Sequence, residues 1–224
     1  MTTSVFARGR GRGRGISSRQ PLRRPGDSAD GANSNGIDGK EVCDIAFLTK
    51  AINKLRFEPS DEGFERVTKL AKEFGTSDEK LKQIVDHLSQ KSKEDSDFVA
   101  TGIGIAKRIC REDDIGPKFR GFLLKSAQED YNSREEIKKK ALSRWIGVVC
   151  FISEIFKVLR VKEAPLKPLA SPIYSMISEL LREEENEEEI DCFNLVFREI
   201  GGLLESVDKV CTVFQSKYLL LVKY

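Results

Sequence analysis

The sequence predicts an all-α protein in which antiparallel helix pairs stack into a right-handed superhelix, an α-α superhelix that follows a disordered N-terminal tail. From residue 41 to residue 209, apolar side chains recur at steps of three and four residues, which places them along helical faces. The connections between these stripes are short, so consecutive helices should lie antiparallel. A four-helix bundle is the alternative, and we favour the superhelical stack.

Eight helices are predicted from the apolar stripes and from the residues that interrupt them. They cover residues 45–55, 64–74, 76–88, 96–112, a stretch beginning at 116, then 133–161, 171–181 and 190–204. No strand or hairpin pattern separates them. Residues 210–224 are apolar without a clean helical stripe, so we interpret them as an atypical C-terminal tail, either a truncated last repeat or the product of alternative splicing.

Several helix boundaries are predicted from local chemistry. Ser133 and Thr76 each precede a glutamate by three residues, which is the spacing of a capping box. Ser171 is followed by proline and is predicted to cap the seventh helix, while Gly75 should end the second. The dipeptide at 116–117, Gly-Pro, should begin the fifth.

The stretch 119–161 is predicted to be the spine of the fold, because it reads as two consecutive amphipathic helices with rich apolar faces. Trp145 lies in phase with the stripe of the second of these helices and is therefore predicted to be a core residue; a platform for stacking nucleic-acid bases is the alternative. The predicted core anchors are Phe119, Leu123, Trp145, Phe151, Phe156 and Leu159.

Residues 1–40 form a separate, Arg/Gly-rich region. They hold 8 of the 17 glycines, and their 8 Lys/Arg outnumber 3 acids, whereas the remainder carries 30 Lys/Arg against 33 acids. Such a segment buries too little apolar surface to offset its ordering entropy. Arg8, Arg10, Arg12 and Arg14 alternate with glycine, a pattern suited to phosphates and exposed bases of single-stranded RNA. A solubilising tail without RNA contact is the alternative.

Two further charged clusters are candidate contact surfaces. Lys138, Lys139, Lys140 and Arg144 could form a basic ridge for RNA or a protein, or they could be an ordinary exposed face. The acidic run consists of Glu183, Glu184, Glu185, Glu187, Glu188 and Glu189. It could dock a basic partner, and a solvated surface is the alternative.

Residues with catalytic or metal-binding chemistry are sparse. His87 is the only histidine and has no cysteine or carboxylate at metal-ligand spacing. The five cysteines are odd in number and widely spaced, which favours free thiols over a disulfide framework or a zinc site. No catalytic residue, metal or cofactor is therefore predicted. The absence of a long apolar run predicts a soluble intracellular protein without membrane contact.

Three segments together resemble a known family. They are FERVTKLAKEFGTSDEKLKQIVDHL (64–88), FRGFLLKSAQEDY (119–131) and RWIGVVCFISEIFKVLRV (144–161). They look like the middle domain of eukaryotic initiation factor 4G. More narrowly, they are similar to small translation adaptors of the polyadenylate-binding-protein-interacting and stem-loop-binding-protein-interacting types. The resemblance covers 44–209.

The resemblance implies a HEAT-like stack of helix pairs without catalytic activity. It also implies docking to the DEAD-box helicase of translation initiation or to other initiation-complex factors, and contact with mRNA. Residues 1–40 contain no recognisable motif for the polyadenylate-binding protein.

Three hypotheses about function follow from the sequence. The first is a cytoplasmic translation adaptor. The second is a scaffold in nuclear mRNA export, splicing or decay, and the third is a helical protein-interaction module without RNA. A homodimer is left open.

Overall fold

The computed structural model describes residues 44–181 and 186–207, which contain nine α-helices. The helices are α1 Ile45–Phe57, α2 Asp61–Phe74, α3 Asp78–Glu94, α4 Val99–Ile109, α5 Gly116–Asn132, α6 Arg134–Lys140, α7 Leu142–Val158, α8 Ala170–Leu180 and α9 Glu187–Val207. Short 3-10 helices, Ser96–Phe98 and Lys167–Leu169, precede α4 and α8. The predicted tails, residues 1–40 and 210–224, lie outside the described residues.

Helices α3 and α7 lie at the centre of the packing. Helix α3 packs against α4, α5 and α7, while α7 also contacts α4, α8 and α9. Helix α1 packs mainly on α2, and α8 packs on α9. The predicted all-α stack of helix pairs is therefore confirmed. Among the described residues, no helix is both long enough and apolar enough to span a membrane.

The N-termini of the first three helices are capped by short polar side chains. Phe47 N–H donates to Asp44 Oδ1 at 2.7 Å, and Gly63 N–H donates to Ser60 Oγ at 3.2 Å. Helix α2 is followed by Gly75, as predicted. The predicted cap at Thr76 is wrong by one residue, because Ser77 Oγ accepts the α3 hydrogen bond from Lys80 N–H.

The predicted single helix over 133–161 is wrong, because the chain breaks at Ala141 into α6 and α7. Ala141 is extended, with φ −159° and ψ 112°. Ser133 makes no side-chain capping bond. An N-cap requires extended backbone, but Ser133 has φ −94° and ψ 5° and donates its N–H to Glu129 at the end of α5.

A two-stranded hairpin follows α7, contrary to the expectation that no strand occurs. Strand β1 (Arg160–Val161) pairs antiparallel with β2 (Ala164–Pro165). The turn residues Lys162 and Glu163 have φ values of 49° and 63°, as a tight primed turn requires. Lys-Glu lacks the glycine or asparagine that usually marks such a turn.

Two predicted proline-marked starts have different outcomes. Helix α5 begins at Gly116 with proline in its first turn, as predicted. The Ser171 cap is wrong: α8 begins one residue earlier, at Ala170, because the 3-10 helix Lys167–Leu169 leads directly into it.

All six predicted core anchors are buried. Phe119, Leu123, Trp145, Phe151 and Phe156 have no exposed surface, and Leu159 is buried as well. Trp145 is therefore inside the stack and cannot serve as an exposed platform for bases.

The centre of α7 approaches the end of α3 unusually closely. A Cβ atom built at Gly147 would lie 2.1 Å from the carbonyl oxygen of Lys93. The Lys93 side chain is itself buried and forms an ion pair with Asp130 of α5, with Nζ 2.8 Å from Oδ2. This region joins α3, α5 and α7.

Candidate protein-docking and charged surfaces

An open cleft of about 660 Å³ lies beside α1 and α2. Its apolar lining includes Phe47, Ala51, Leu55 and Phe57. Phe57 is 75% exposed, the largest exposure among the large apolar side chains of the described residues. An aromatic ring so exposed at the edge of a cleft is typical of a binding surface.

Local sequence explains how the floor of this cleft is built. Leu55 is buried beneath it, and a Cβ atom at Gly63 would come within 2.6 Å of Leu55 Cδ2. The absence of a side chain at Gly63 therefore lets α2 pack directly onto α1. The cap at Ser60 starts α2 in the position that brings Gly63 over Leu55.

Basic side chains border the same cleft. Lys50, Lys54 and Arg66 line it together with the acids Glu58 and Glu62, so the basic groups are in slight excess. The Arg66 guanidinium lies 5.7 Å from the centroid of the Phe47 ring. This combination suits a peptide that inserts an apolar side chain and carries acidic neighbours.

A second, more polar groove of about 410 Å³ is formed by α2 together with α4 and the residues that follow it. Lys69, Lys72, Arg108 and Arg111 line it, with Glu65 and Glu112. A hydrogen bond from Lys72 to Glu112, 2.7 Å long, raises the pKa of that lysine. Arg108 pairs with Asp61, so two of the four cations are already partly neutralised.

In the structure, three cations of the predicted basic ridge form ion pairs with three different acidic residues. Lys138 Nζ lies 2.7 Å from Glu189 Oε1, Lys140 pairs with Glu136 at 3.8 Å, and Arg144 reaches Glu94 on α3 at 3.7 Å. Lys139 is exposed. The four cations therefore do not form one continuous free row. Their contact with RNA or protein stays a prediction.

The predicted acidic patch is also divided. Glu183, Glu184 and Glu185 lie outside the described residues, while Glu187 and Glu188 are exposed in the first turn of α9. Glu189 is only 4% exposed and pairs with Lys138, so it is unavailable to a partner in this structure.

We use the name α6 clamp for the two ion pairs Arg134–Glu179 and Lys138–Glu189. Arg134 Nε donates to Glu179 Oε1 at 2.8 Å, and this bond raises the pKa of the arginine. Lys138 Nζ also donates to the Glu179 carbonyl oxygen at 3.3 Å. The clamp thus connects α6 to the end of α8 and to the start of α9.

Within residues 44–181 and 186–207, no group of three or more His, Cys, Asp or Glu side chains is arranged so that it could hold a metal ion. His87 is half-buried on α3, and burial, with nearby Lys91, lowers its pKa. The Arg-Gly repeat, Arg8 to Arg14, lies outside the described residues.

Sequence reasoning did not identify the cleft beside α1 and α2. Its one available signal was Phe57, which follows Leu55 by two residues and lies off the stripe formed by Ile45, Leu48 and Ile52. A large aromatic residue outside a helical stripe is a candidate surface contact.

Comparison with known proteins identifies the family. The MIF4G domain family matches residues 45–219. The chain belongs to the MIF4G family. This result confirms the resemblance to the middle domain of eukaryotic initiation factor 4G.

Several relatives share part of this MIF4G chain. A CBP80/20-dependent translation initiation factor from Xenopus tropicalis is 32% identical over 162 residues, which are 70% of this chain and 28% of that protein. MIF4G domain-containing protein B from Danio rerio is 36% identical over 95 residues, covering 42% of this chain and 43% of its own length. The human MIF4G domain-containing protein is 35% identical over 92 residues, which are 40% of this chain and 41% of that protein. The chain therefore spans less than half the length of these relatives.

Proposed function

We propose that this MIF4G chain is a non-enzymatic adaptor in mRNA translation. Its helical body docks a protein of the initiation complex, such as the DEAD-box helicase, and its Arg-Gly tail holds mRNA. The family match carries the proposal, supported by the relative that is named as a translation initiation factor. We place the protein in the cytoplasm, with the nucleus as the alternative.

The cleft beside α1 and α2 is the surface that we assign to protein docking. It combines the exposed ring of Phe57 with a basic border formed by Lys50, Lys54 and Arg66. Because the apolar floor is preformed by packed helices, a partner segment can bind without reorganising the fold.

The Arg-Gly tail is assigned to mRNA on chemical grounds. Arg8, Arg10, Arg12 and Arg14 offer planar guanidinium groups that bind phosphates and stack on bases. Such contacts release counterions, so the affinity for single-stranded RNA should fall steeply with salt.

The first test is affinity capture of the tagged full chain from cytosolic extract, with and without ribonuclease. We expect initiation factors to remain bound after ribonuclease, because the helical body contacts them directly. Loss of every partner with the RNA would contradict the adaptor role. Capture of only nuclear mRNA-processing proteins from whole-cell extract would favour the nuclear scaffold.

A second test probes the cleft with a matched pair of variants. Phe57→Asp should weaken ribonuclease-resistant capture by at least tenfold, because it places a charge at the exposed aromatic contact. Leu195→Asp is the control: Leu195 is also exposed, at 45%, but lies on α9 outside the cleft. Equal retention by both variants would exclude the cleft as the docking surface.

A third test separates charge from stacking in the tail. Replacing the four arginines by glutamine should reduce the slope of log affinity against log salt by up to about 3 for single-stranded RNA. Replacement by lysine keeps the charge, so the slope should persist while affinity falls through lost stacking. An unchanged slope in the glutamine variant would refute the role of the tail.

A further inference from the structure

Two cysteine thiols from different helices meet where α7 packs against α9. Cys150 Sγ lies 3.9 Å from Cys192 Sγ, although 42 residues separate them in the sequence. Both are free thiols. The described residues include a third cysteine, Cys110, which lies at the end of α4 and has no sulfur–sulfur contact among them.

We propose that Cys150 and Cys192 form an intramolecular disulfide when the protein meets a hydroperoxide. A disulfide requires the sulfurs to approach to about 2.05 Å, so each has to move by about 1 Å. Rotation about the Cα–Cβ bonds of two facing cysteines supplies movement of this size. The packing of α7 on α9 holds the two residues within reach.

The different exposure of the two thiols sets the order of the reaction. Cys150 is half-buried, whereas Cys192 is only 4% exposed, so the oxidant reaches Cys150 first. The hydrogen bond with Cys192 lowers the pKa of the Cys150 thiol, although burial and Glu154 act in the opposite direction. This bond favours the thiolate that attacks peroxide.

The chemistry balances in two steps. The Cys150 thiol releases its proton to solvent, and the thiolate attacks one oxygen of hydrogen peroxide. The O–O bond breaks, Cys150 becomes a sulfenic acid, and the other oxygen leaves as hydroxide, which takes up the released proton and becomes water. Cys192 sulfur then attacks Cys150 sulfur, and the S–O bond breaks. The departing hydroxide takes the Cys192 proton and forms a second water. The two thiols lose two electrons, which the hydroperoxide receives.

Cys110 is the internal comparison for this reactivity. Burial raises the pKa of the Cys110 thiol to about 12, which suppresses its thiolate at neutral pH. It also lacks a neighbouring sulfur among the described residues. Peroxide should therefore leave Cys110 reduced under conditions that oxidise the Cys150–Cys192 pair.

The disulfide would connect α7 to α9 covalently and close a loop that contains the hairpin and α8. Cross-linking restricts the unfolded chain, so the oxidised protein should melt at a temperature higher by on the order of 5–10 °C. This inference does not depend on the proposed adaptor function.

The test uses the full chain with Cys43→Ser and Cys211→Ser, which removes the cysteines outside the described residues. The protein is treated with hydrogen peroxide, alkylated and digested with trypsin without reduction. We expect peptide 145–157 to be linked to peptide 183–198, while peptide 109–111 carries alkylated Cys110. Alkylated cysteine in both 145–157 and 183–198 would overturn the proposal, as would a link to 109–111 or a link only between two chains.

Matched variants check the proposed order. Cys192→Ala should leave Cys150 as a sulfenic acid that a dimedone probe labels, and Cys110→Ser should form the same linked peptides as the parent. Circular dichroism of each reduced variant establishes that it is folded. Dimedone labelling of Cys192 in a Cys150→Ala variant, at a rate equal to that of Cys150 in Cys192→Ala, would refute the assigned order.

Discussion

The close approach of α7 to α3 predicts that Gly147→Ala destabilises the fold. The added Cβ would lie 2.1 Å from Lys93 O and 2.8 Å from Lys93 C, both backbone atoms that cannot rotate away. An ordinary carbon–oxygen contact needs about 3.3 Å, so the helices must separate locally by about 1.2 Å. Overpacking of this kind costs about 1–3 kcal/mol, and the separation also loosens the packing of α7 on α3.

The expected net effect includes a gain from helix propensity. Alanine is better than glycine inside a helix by about 1 kcal/mol, which offsets part of the clash. Because the clash is with backbone atoms of Lys93, we place its cost in the upper part of that range and expect the free energy of unfolding to fall by about 1–2 kcal/mol. The melting temperature should fall by about 2–8 °C.

The assay is thermal and urea denaturation of the full chain, followed by circular dichroism. Gly121→Ala is the matched control, because Gly121 is also inside a helix, α5, but a Cβ there meets nothing within 4 Å. The control should be stabilised by up to about 1 kcal/mol. If Gly147→Ala is as stable as Gly121→Ala, the close approach of α7 to Lys93 does not limit this position and the reasoning fails.

Two further predictions concern caps and a buried ion pair. Ser60→Ala and Ser77→Ala should each lower the free energy of unfolding by about 1 kcal/mol, whereas Ser133→Ala should change it little, as urea denaturation would measure. Lys93→Met should cost about 3 kcal/mol, because it leaves Asp130 unpaired at 13% exposure. The double change Lys93→Met with Asp130→Leu should recover most of that loss; full additivity of the two single changes would contradict a direct pair.

Helical periodicity was sufficient to predict the stack and its interior. The stripe around Trp145 placed that residue in the core, and Gly75 directly follows α2, where the sequence predicts that the helix ends. These features are local: they depend on side-chain spacing within one helix or on one turn of backbone.

Features that depend on distant residues could not be predicted in this way. The break at Ala141 interrupts a region whose sequence favours a continuous helix, and the α6 clamp lies on its N-terminal side. The hairpin was not predicted either, because its turn residues Lys162 and Glu163 include no glycine or asparagine, the residues that usually indicate a tight turn.

The candidate surfaces show the same limit. The sequence groups Lys138 with neighbouring lysines, but its ammonium group finds Glu189, which is 51 positions away and was assigned to a separate acidic patch. The cleft likewise forms only because α1 and α2 lie side by side, and Phe57 lies at its edge only in that arrangement. The pattern of charged and apolar residues along one segment therefore predicts neither the Lys138–Glu189 ion pair nor the packing of α1 beside α2.

The α6 clamp makes the α8–α9 connection a natural position for inserted sequence. Arg134 holds Glu179 before the connection and Lys138 holds Glu189 after it, so the separation of the two helix ends is fixed from outside the segment that joins them. Doubling the length of that segment would cost only about 0.6 kcal/mol of closure entropy. A peptide tag or a fluorescent reporter placed there would remain attached to both helices without having to hold them together.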